Sequence, residues 1–82
     1  MGRRGVGLPP RPMTPDQLAR ARQRLGLTLE QMATMLGYEG EQRRQMMYDL
    51  ESGRRAIRNP QCRLTEAYLA GYRPKDWPRD SN

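Results

Sequence analysis

Apolar side chains in this chain recur at helical rather than strand spacing, in four short blocks each closed by a glycine. In the first block, Leu18, Ala21 and Leu25 form one stripe while Arg20, Gln23 and Arg24 point away from it, which is the pattern of a half-buried helix. Thr14, followed by Pro15 and, three residues on, by Gln17, supplies a capping hydroxyl, a proline at the first helical position and a side chain able to bond back. Gly26 stops this helix. The Thr-x-x-Gln device returns at Thr28 to Gln31, and Leu29, Met32, Ala33 and Leu36 then recur at i, i+3, i+4 and i+7 before Gly37. A helix of about two turns is not stable alone, so this second one must be held by its neighbours, and Ala33 is small enough to let another helix come close.

A polar connection from Tyr38 to Gln42 contains Gly40, after which Met46, Met47 and Leu50 predict the buried stripe of a third helix ending at Gly53. At 100° per residue, Arg44, Gln45, Tyr48, Asp49 and Ser52 face away from that stripe, whereas Arg43 falls back toward it in the first turn. Asn59 and Pro60 predict the cap and first position of a fourth helix, with Leu64, Ala67 and Tyr68 inward, Leu69 on another face and Gly71 as its stop. Pro74 and Pro78 predict an extended run over residues 72–78 in place of a fifth long helix. The expected fold is a compact all-α domain of four helices, or five with a short last one, over residues 13–77. A flexible basic arm at residues 1–12, rich in Gly, Pro and Arg, is expected before it, and a disordered tail at residues 78–82 after it.

Composition removes several function classes. Eighty-two residues make one small domain. With no His, one Cys (Cys62) and two Ser (Ser52, Ser81), a His-based triad, a Cys/His metal site and a disulfide are excluded. The expectation is therefore no enzyme, no metal and no cofactor. A lone Cys and no leader pattern at the start point to a reduced cytoplasmic compartment. No apolar run approaches the ~20 residues of a membrane-spanning helix, so a soluble protein without a membrane partner is expected.

The charge adds a partner. Fourteen of the fifteen basic residues are Arg, the side chain suited to bidentate recognition of phosphate and guanine. A GC-rich genome would scatter Arg codons anywhere, so location decides. Arg43, Arg44, Arg54, Arg55 and Arg58 against Asp49 and Glu51 concentrate a net +3 in sixteen residues, as expected of a local anion-binding face.

A short second helix with a small residue, a glycine turn, a third helix with a long-chain polar face and then Gly53-Arg54-Arg55 is a helix-turn-helix layout. The stretch from Leu25 through Thr28, Gln31, Ala33 and Leu36 to Gly37, followed by Leu50-Glu51-Ser52-Gly53-Arg54-Arg55-Ala56-Ile57, resembles the XRE family of phage-repressor and Cro-type DNA-binding domains. The resemblance covers about Met13 to Ala70. Small autoregulators of phage operons, including anti-CRISPR-associated repressors with a similar short tail, look like this chain, and antitoxins resemble it more loosely. Two departures stand out. The stretch from Gly37 to Leu50 is longer than the family's by about four residues, about one helical turn. A loop is expected there, because a helix continued backward would aim Glu41 along the face of Gln45 and Ser52 toward phosphates. Leu29 stands where relatives commonly place a polar residue to touch a phosphate.

By the resemblance, the base-reading positions fall on Arg44, Gln45, Tyr48 and Asp49. Arg pairs bidentately with guanine and Gln with adenine, while Asp accepts from cytosine or orients a neighbouring Arg. Arg54, Arg55 and Arg58, with Arg43, are the expected phosphate contacts. Leu69, Tyr72 and Trp77 are expected at a subunit contact of a homodimer, the alternative being a monomer that pairs only on DNA, with Trp77 folded back to cover its own domain. The resemblance implies a stand-alone repressor of its own operon, binding an inverted repeat in double-stranded DNA, nucleoid-associated and without a small-molecule effector. The rival reading is a protein-interaction module of the same fold, such as an antitoxin or a phage-defence adaptor. Single-stranded RNA binding ranks below both, because Tyr48 is the one aromatic on the presumed reading face and that mode needs several.

Overall fold

Every helix that the apolar pattern predicts forms, and each begins within a residue of its expected start. The computed structural model describes residues 13–78, and over them the chain folds as α1 (Pro15–Leu25), α2 (Leu29–Met35), α3 (Arg43–Ser52) and α4 (Asn59–Leu69), with no strand among the described residues. The expected basic arm at residues 1–12 and most of the expected disordered tail, residues 79–82, lie outside the described residues.

Local sequence explains the helix ends. Thr14 Oγ1 accepts from the Gln17 N–H at 3.1 Å while Gln17 Oε1 accepts from the Thr14 N–H at 3.0 Å. The second box, between Thr28 and Gln31, closes at 3.0 and 2.9 Å. Each satisfies N–H groups that the first helical turn leaves without partners. Gly53 closes α3 at φ 87°, and the Arg54 N–H then reaches back to the Asp49 carbonyl at 2.9 Å. A side chain at Gly53 would be strained by that φ and would also meet Pro15 Cγ at 3.7 Å. At α4 the boundary differs by one residue from expectation. Arg58 rather than Asn59 is the extended cap residue, with its N–H donating to Gln61 Oε1 at 3.0 Å, so the Gln three residues on and not the Asn side chain secures the start.

The core sits where α1, α2 and α3 meet, with α4 laid against α1. Leu18, Leu27, Met32, Ala33, Met35, Leu36, Met47, Leu50 and Tyr68 form one buried cluster, each large side chain contributing ~1.5 to 3 kcal/mol by leaving water. Met46, expected inside, is only half-buried. The buried stripe of α4 is also rotated from the expected one: Gln61, Cys62, Thr65 and Tyr68 are inside, while Leu64 and Ala67 sit at its flank. Small side chains permit this. Thr65 gives its hydroxyl proton to the Gln61 carbonyl at 2.8 Å, and Cys62 Sγ accepts from the Met13 N–H at 3.3 Å, so neither enters the core with an unmet polar group.

A polar lock crosses the domain in addition. Arg22 on α1 holds Glu51 on α3 with Nε at 2.7 Å and Nη2 at 3.2 Å, and its Nη1 donates to the Leu27 carbonyl at 3.0 Å. The two side chains are only 18% and 10% exposed. The apolar stripes hid this pair, because Arg22 follows Ala21 and Glu51 follows Leu50 at the edges of those stripes.

The segment after α4 departs from the extended run expected of it. The Trp77 N–H donates to the Pro74 carbonyl at 3.0 Å, and that turn brings the Trp77 ring edge-on to Tyr68, centroids 5.2 Å apart. Arg73 lies over the Trp77 ring at 4.2 Å and donates to the Tyr68 carbonyl at 2.7 Å. The prolines did exclude a helix, but the apolar area of Trp77 made a folded-back tail more favourable than an extended one.

Tyr68 joins this cap to the core by donating its hydroxyl to the Met35 carbonyl. Burial above all, then the charge of Asp76 and the neighbouring Tyr72, raise its pKa above the ordinary phenol value. A raised folded-state value means that the stability Tyr68 contributes is fully present below pH ~10 and is lost as pH rises through the folded pKa. Tyr68→Phe should flatten the fall in urea midpoint above pH ~10 and, at neutral pH, cost about 1 kcal/mol for the hydrogen bond removed. A midpoint whose alkaline fall is the same in both proteins would assign that fall to other groups.

Candidate nucleic-acid interface

The third helix offers one face to its own core and the other to solvent. Met47 and Leu50 are buried against α1 and α2, while Arg44, Gln45 and Tyr48 lie on the far side, with Tyr48 49% exposed. The 100° step places Arg44, Tyr48, Ser52 and Gln45 within about a third of a turn of one another. The longer segment before α3 is a loop, residues 36–42, and not a backward extension of the helix. Glu39 and Glu41 therefore stand in that loop, exposed, and not in line with Gln45.

Asp49, half-buried, accepts from Gln45 Nε2 at 3.0 Å. This is the i,i+4 spacing at which helix side chains meet. Asp49 was expected to accept from cytosine or to orient a neighbouring Arg; the side chain at the right spacing is Gln45, since Arg44 is five positions away. The bond fixes which end of the Gln45 amide is which. One Nε2 hydrogen is used inward, and Oε1 with the second hydrogen remains available outward, the donor and acceptor pair that adenine requires.

Arg54, Arg55 and Arg58 follow in the turn between α3 and α4, all exposed. Among the described residues the three ion pairs are Arg20 with Asp16, Arg22 with Glu51 and Arg43 with Glu30, so Arg44, Arg54, Arg55 and Arg58 keep their full charge for a partner. Arg43 is different from the other expected phosphate contacts. Its guanidinium reaches Glu30 of α2 at 3.0 Å and the Gly40 carbonyl at 2.9 Å, and its Nε is buried without a partner. The side chain, expected in the first turn on the side of the buried stripe, ties α2 and the loop to α3.

The α3 N-terminus has no side-chain cap, unlike α1 and α2. The Arg43 N–H donates to the Gly40 carbonyl at 3.3 Å, which leaves the N–H groups of Arg44 and Gln45 for water or an anion.

Of the three residues expected at a subunit contact, Leu69 and Tyr72 remain 39% and 55% exposed. Tyr72 stacks on Tyr68 with centroids 6.0 Å apart. Trp77 packs its ring on Tyr68 and under Arg73 of its own domain and remains half-buried. Leu69 also lines a cleft of about 560 Å³ between α1 and α4, together with Met13 and Ala21 among others.

Two residues that the apolar pattern passed over also reach this side of the molecule. Tyr38 in the loop accepts from Gln61 Nε2 at 2.6 Å. The spacing of Gln61 from Arg58, the same three-residue step as in both Thr-x-x-Gln boxes, was the sequence signal for the Gln; nothing in the sequence marked its partner.

No cluster of three or more potential metal ligands occurs among the described residues, and no helix there is long and apolar enough to cross a membrane. Comparison with protein-family models, with curated proteins and with solved structures gave no match.

Proposed function

We propose that this protein is a sequence-specific, double-stranded DNA-binding regulator that acts as a homodimeric repressor of its own operon. The observation that carries the proposal is the combination of a solvent-facing α3 surface, Arg44, Gln45 and Tyr48, with three arginines, Arg54, Arg55 and Arg58, in the turn that follows, which have no carboxylate partner among the described residues. The first set has base-reading chemistry and the second has phosphate-holding chemistry. The uncapped N-terminus of α3 adds N–H donors beside the same face. Arg43 drops out of the phosphate set and becomes the residue that holds α3 to α2. Asp49 becomes the residue that orients Gln45.

One α3 in one major groove touches too few base pairs to select a genomic site, which is why the proposal includes a two-fold. Leu69, which lines the α1/α4 cleft, and Tyr72 are the exposed apolar groups that would make it, with the half-buried Trp77 packed on its own domain.

Selection from a random duplex pool, with the winning duplex then titrated across a salt series, tests the proposal. An inverted repeat with half-site centres ~10 to 11 bp apart, or a multiple, is expected. Arg54→Ala should weaken winning and random duplexes alike and flatten log K against log salt by ~0.9. A pool that enriches no motif, together with a shallow salt dependence, would overturn the DNA reading in favour of a protein-interaction module.

A further inference from the structure

Tyr38, Arg55, Ala56, Arg58 and Gln61 line a cavity of about 280 Å³ that is open to solvent on one side, just under the ~300 to 1,000 Å³ of pockets that take drug-sized ligands. It lies between the loop before α3 and the start of α4. We propose that this cavity is a preformed binding site for one phosphate group.

The chemistry of the lining decides the ligand. Gln61 is held at both ends: its Oε1 accepts the Arg58 N–H at 3.0 Å and its Nε2 donates to Tyr38 Oη at 2.6 Å. Gln61 is about nine-tenths buried, so the amide has no room to turn over. Tyr38 Oη, having accepted one hydrogen bond, has its own proton left to donate. Arg55 and Arg58 have no carboxylate partner among the described residues, and no Asp or Glu lines the cavity. Its two charged groups, the Arg55 and Arg58 guanidinium groups, are donors, and the Tyr38 hydroxyl proton adds a third, while the side-chain acceptors that remain are the uncharged second lone pairs of Gln61 Oε1 and Tyr38 Oη. The net positive lining disfavours a cation. A phosphate, with several acceptor oxygens and at least one negative charge, matches both the donor count and the sign, and charge-assisted bonds from guanidinium groups are the strong kind. Ala56 leaves the space open.

A backbone phosphate of DNA and a phosphate carried by a free small molecule present the same group. The first source rests on the DNA-binding proposal above; the second does not. Arg55 and Arg58 are thereby distinguished from Arg54, which lines no part of the cavity, and Tyr38 and Gln61 gain a role that neither the charge pattern nor the apolar pattern assigned them.

The test is a titration of the full isotope-labelled chain with inorganic phosphate at constant ionic strength, set by chloride, following the Gln61 side-chain amide and the Arg58 N–H by NMR. Saturable shifts are expected. The doubly substituted Arg55→Ala/Arg58→Ala chain should lose affinity by tenfold or more, and Tyr38→Phe should weaken it several-fold, as the loss of charged and neutral donors requires. Both arginines are exposed, and an unchanged thermal midpoint confirms that the variants are folded; Tyr38→Phe keeps the ring and is the second check. Shifts that never saturate, or that persist unchanged in the double variant, overturn the site. Adding the selected duplex separates the sources. If the duplex alone produces the shifts and excludes free phosphate, the ligand is a DNA phosphate. If phosphate still binds with the duplex in place, it is a free phosphorylated molecule. Saturable phosphate binding by a chain that binds no duplex would sustain the pocket while overturning the DNA proposal. Tight duplex binding without any saturable phosphate response at Gln61, from either source, would do the reverse.

Discussion

Arg22→Ala is expected to cost ~3 to 5 kcal/mol of folding stability, the largest loss for any single polar side chain in this domain. The reason is asymmetric. Glu51, 10% exposed, accepts two hydrogen bonds from that guanidinium, and without it a carboxylate stays buried with no counter-charge. The Leu27 carbonyl loses its donor in the same step. In a domain this small each kcal/mol moves the thermal midpoint by ~4 to 8 °C, so a fall of roughly 12 °C or more should appear in a melt. Replacing both partners by apolar residues, Arg22→Met with Glu51→Leu, should recover most of the loss, because no orphaned charge is left. Recovery falls short by about 1 kcal/mol for the bond to Leu27. If the single variant melts within a degree or two of the parent, the lock between α1 and α3 does not contribute as the geometry demands.

Arg44→Ala and Gln45→Ala should each weaken binding to the selected duplex by ~1 to 3 kcal/mol while leaving binding to random duplex nearly intact. The split follows from position: both side chains project from the uncovered face of α3 and contribute nothing to the core. Asp49→Ala sharpens the test. It removes the group that holds Gln45 Nε2, so it should relax selectivity at the base read by Gln45 and leave the base read by Arg44 alone. Titration at fixed salt against duplexes substituted at one base pair at a time measures this directly. Unchanged affinity in both alanine variants would mean that α3 is not the reading helix, and Arg54→Ala, read against salt, would then show whether any duplex is bound at all.

The helices of this protein were legible in its sequence because each is specified locally. Thr14 and Thr28 find Gln17 and Gln31 within one turn, and Gly26, Gly37, Gly53 and Gly71 sit where the chain must leave the helix. Such devices need no distant residue. The outward face of α3 was legible for the same reason: once Met47 and Leu50 are inside, a 100° step puts Arg44 and Gln45 outside. Even the loop form of residues 36–42 followed from the local cost of aligning Glu41 with the polar face.

Other features were decided only when the elements met. Trp77 turns back onto Tyr68 and through it onto the core, so its place depends on where α4 lies, and α4 itself is rotated so that Cys62 and Thr65, and not Leu64, face inward. Arg43 and Arg22 look like ordinary surface charge in one dimension, yet Glu30 and Glu51 arrive from other helices to pair with them. Tyr38 and Gln61 are twenty-three positions apart and share a hydrogen bond at 2.6 Å. Local propensity and periodicity act over one or two turns, so they determined the helices and their faces. The charge partners, the rotation of α4 and the donor-lined cavity depend on contacts between helices, which exist only once loop-closure entropy has been overcome by packing, and the tertiary structure alone decided them.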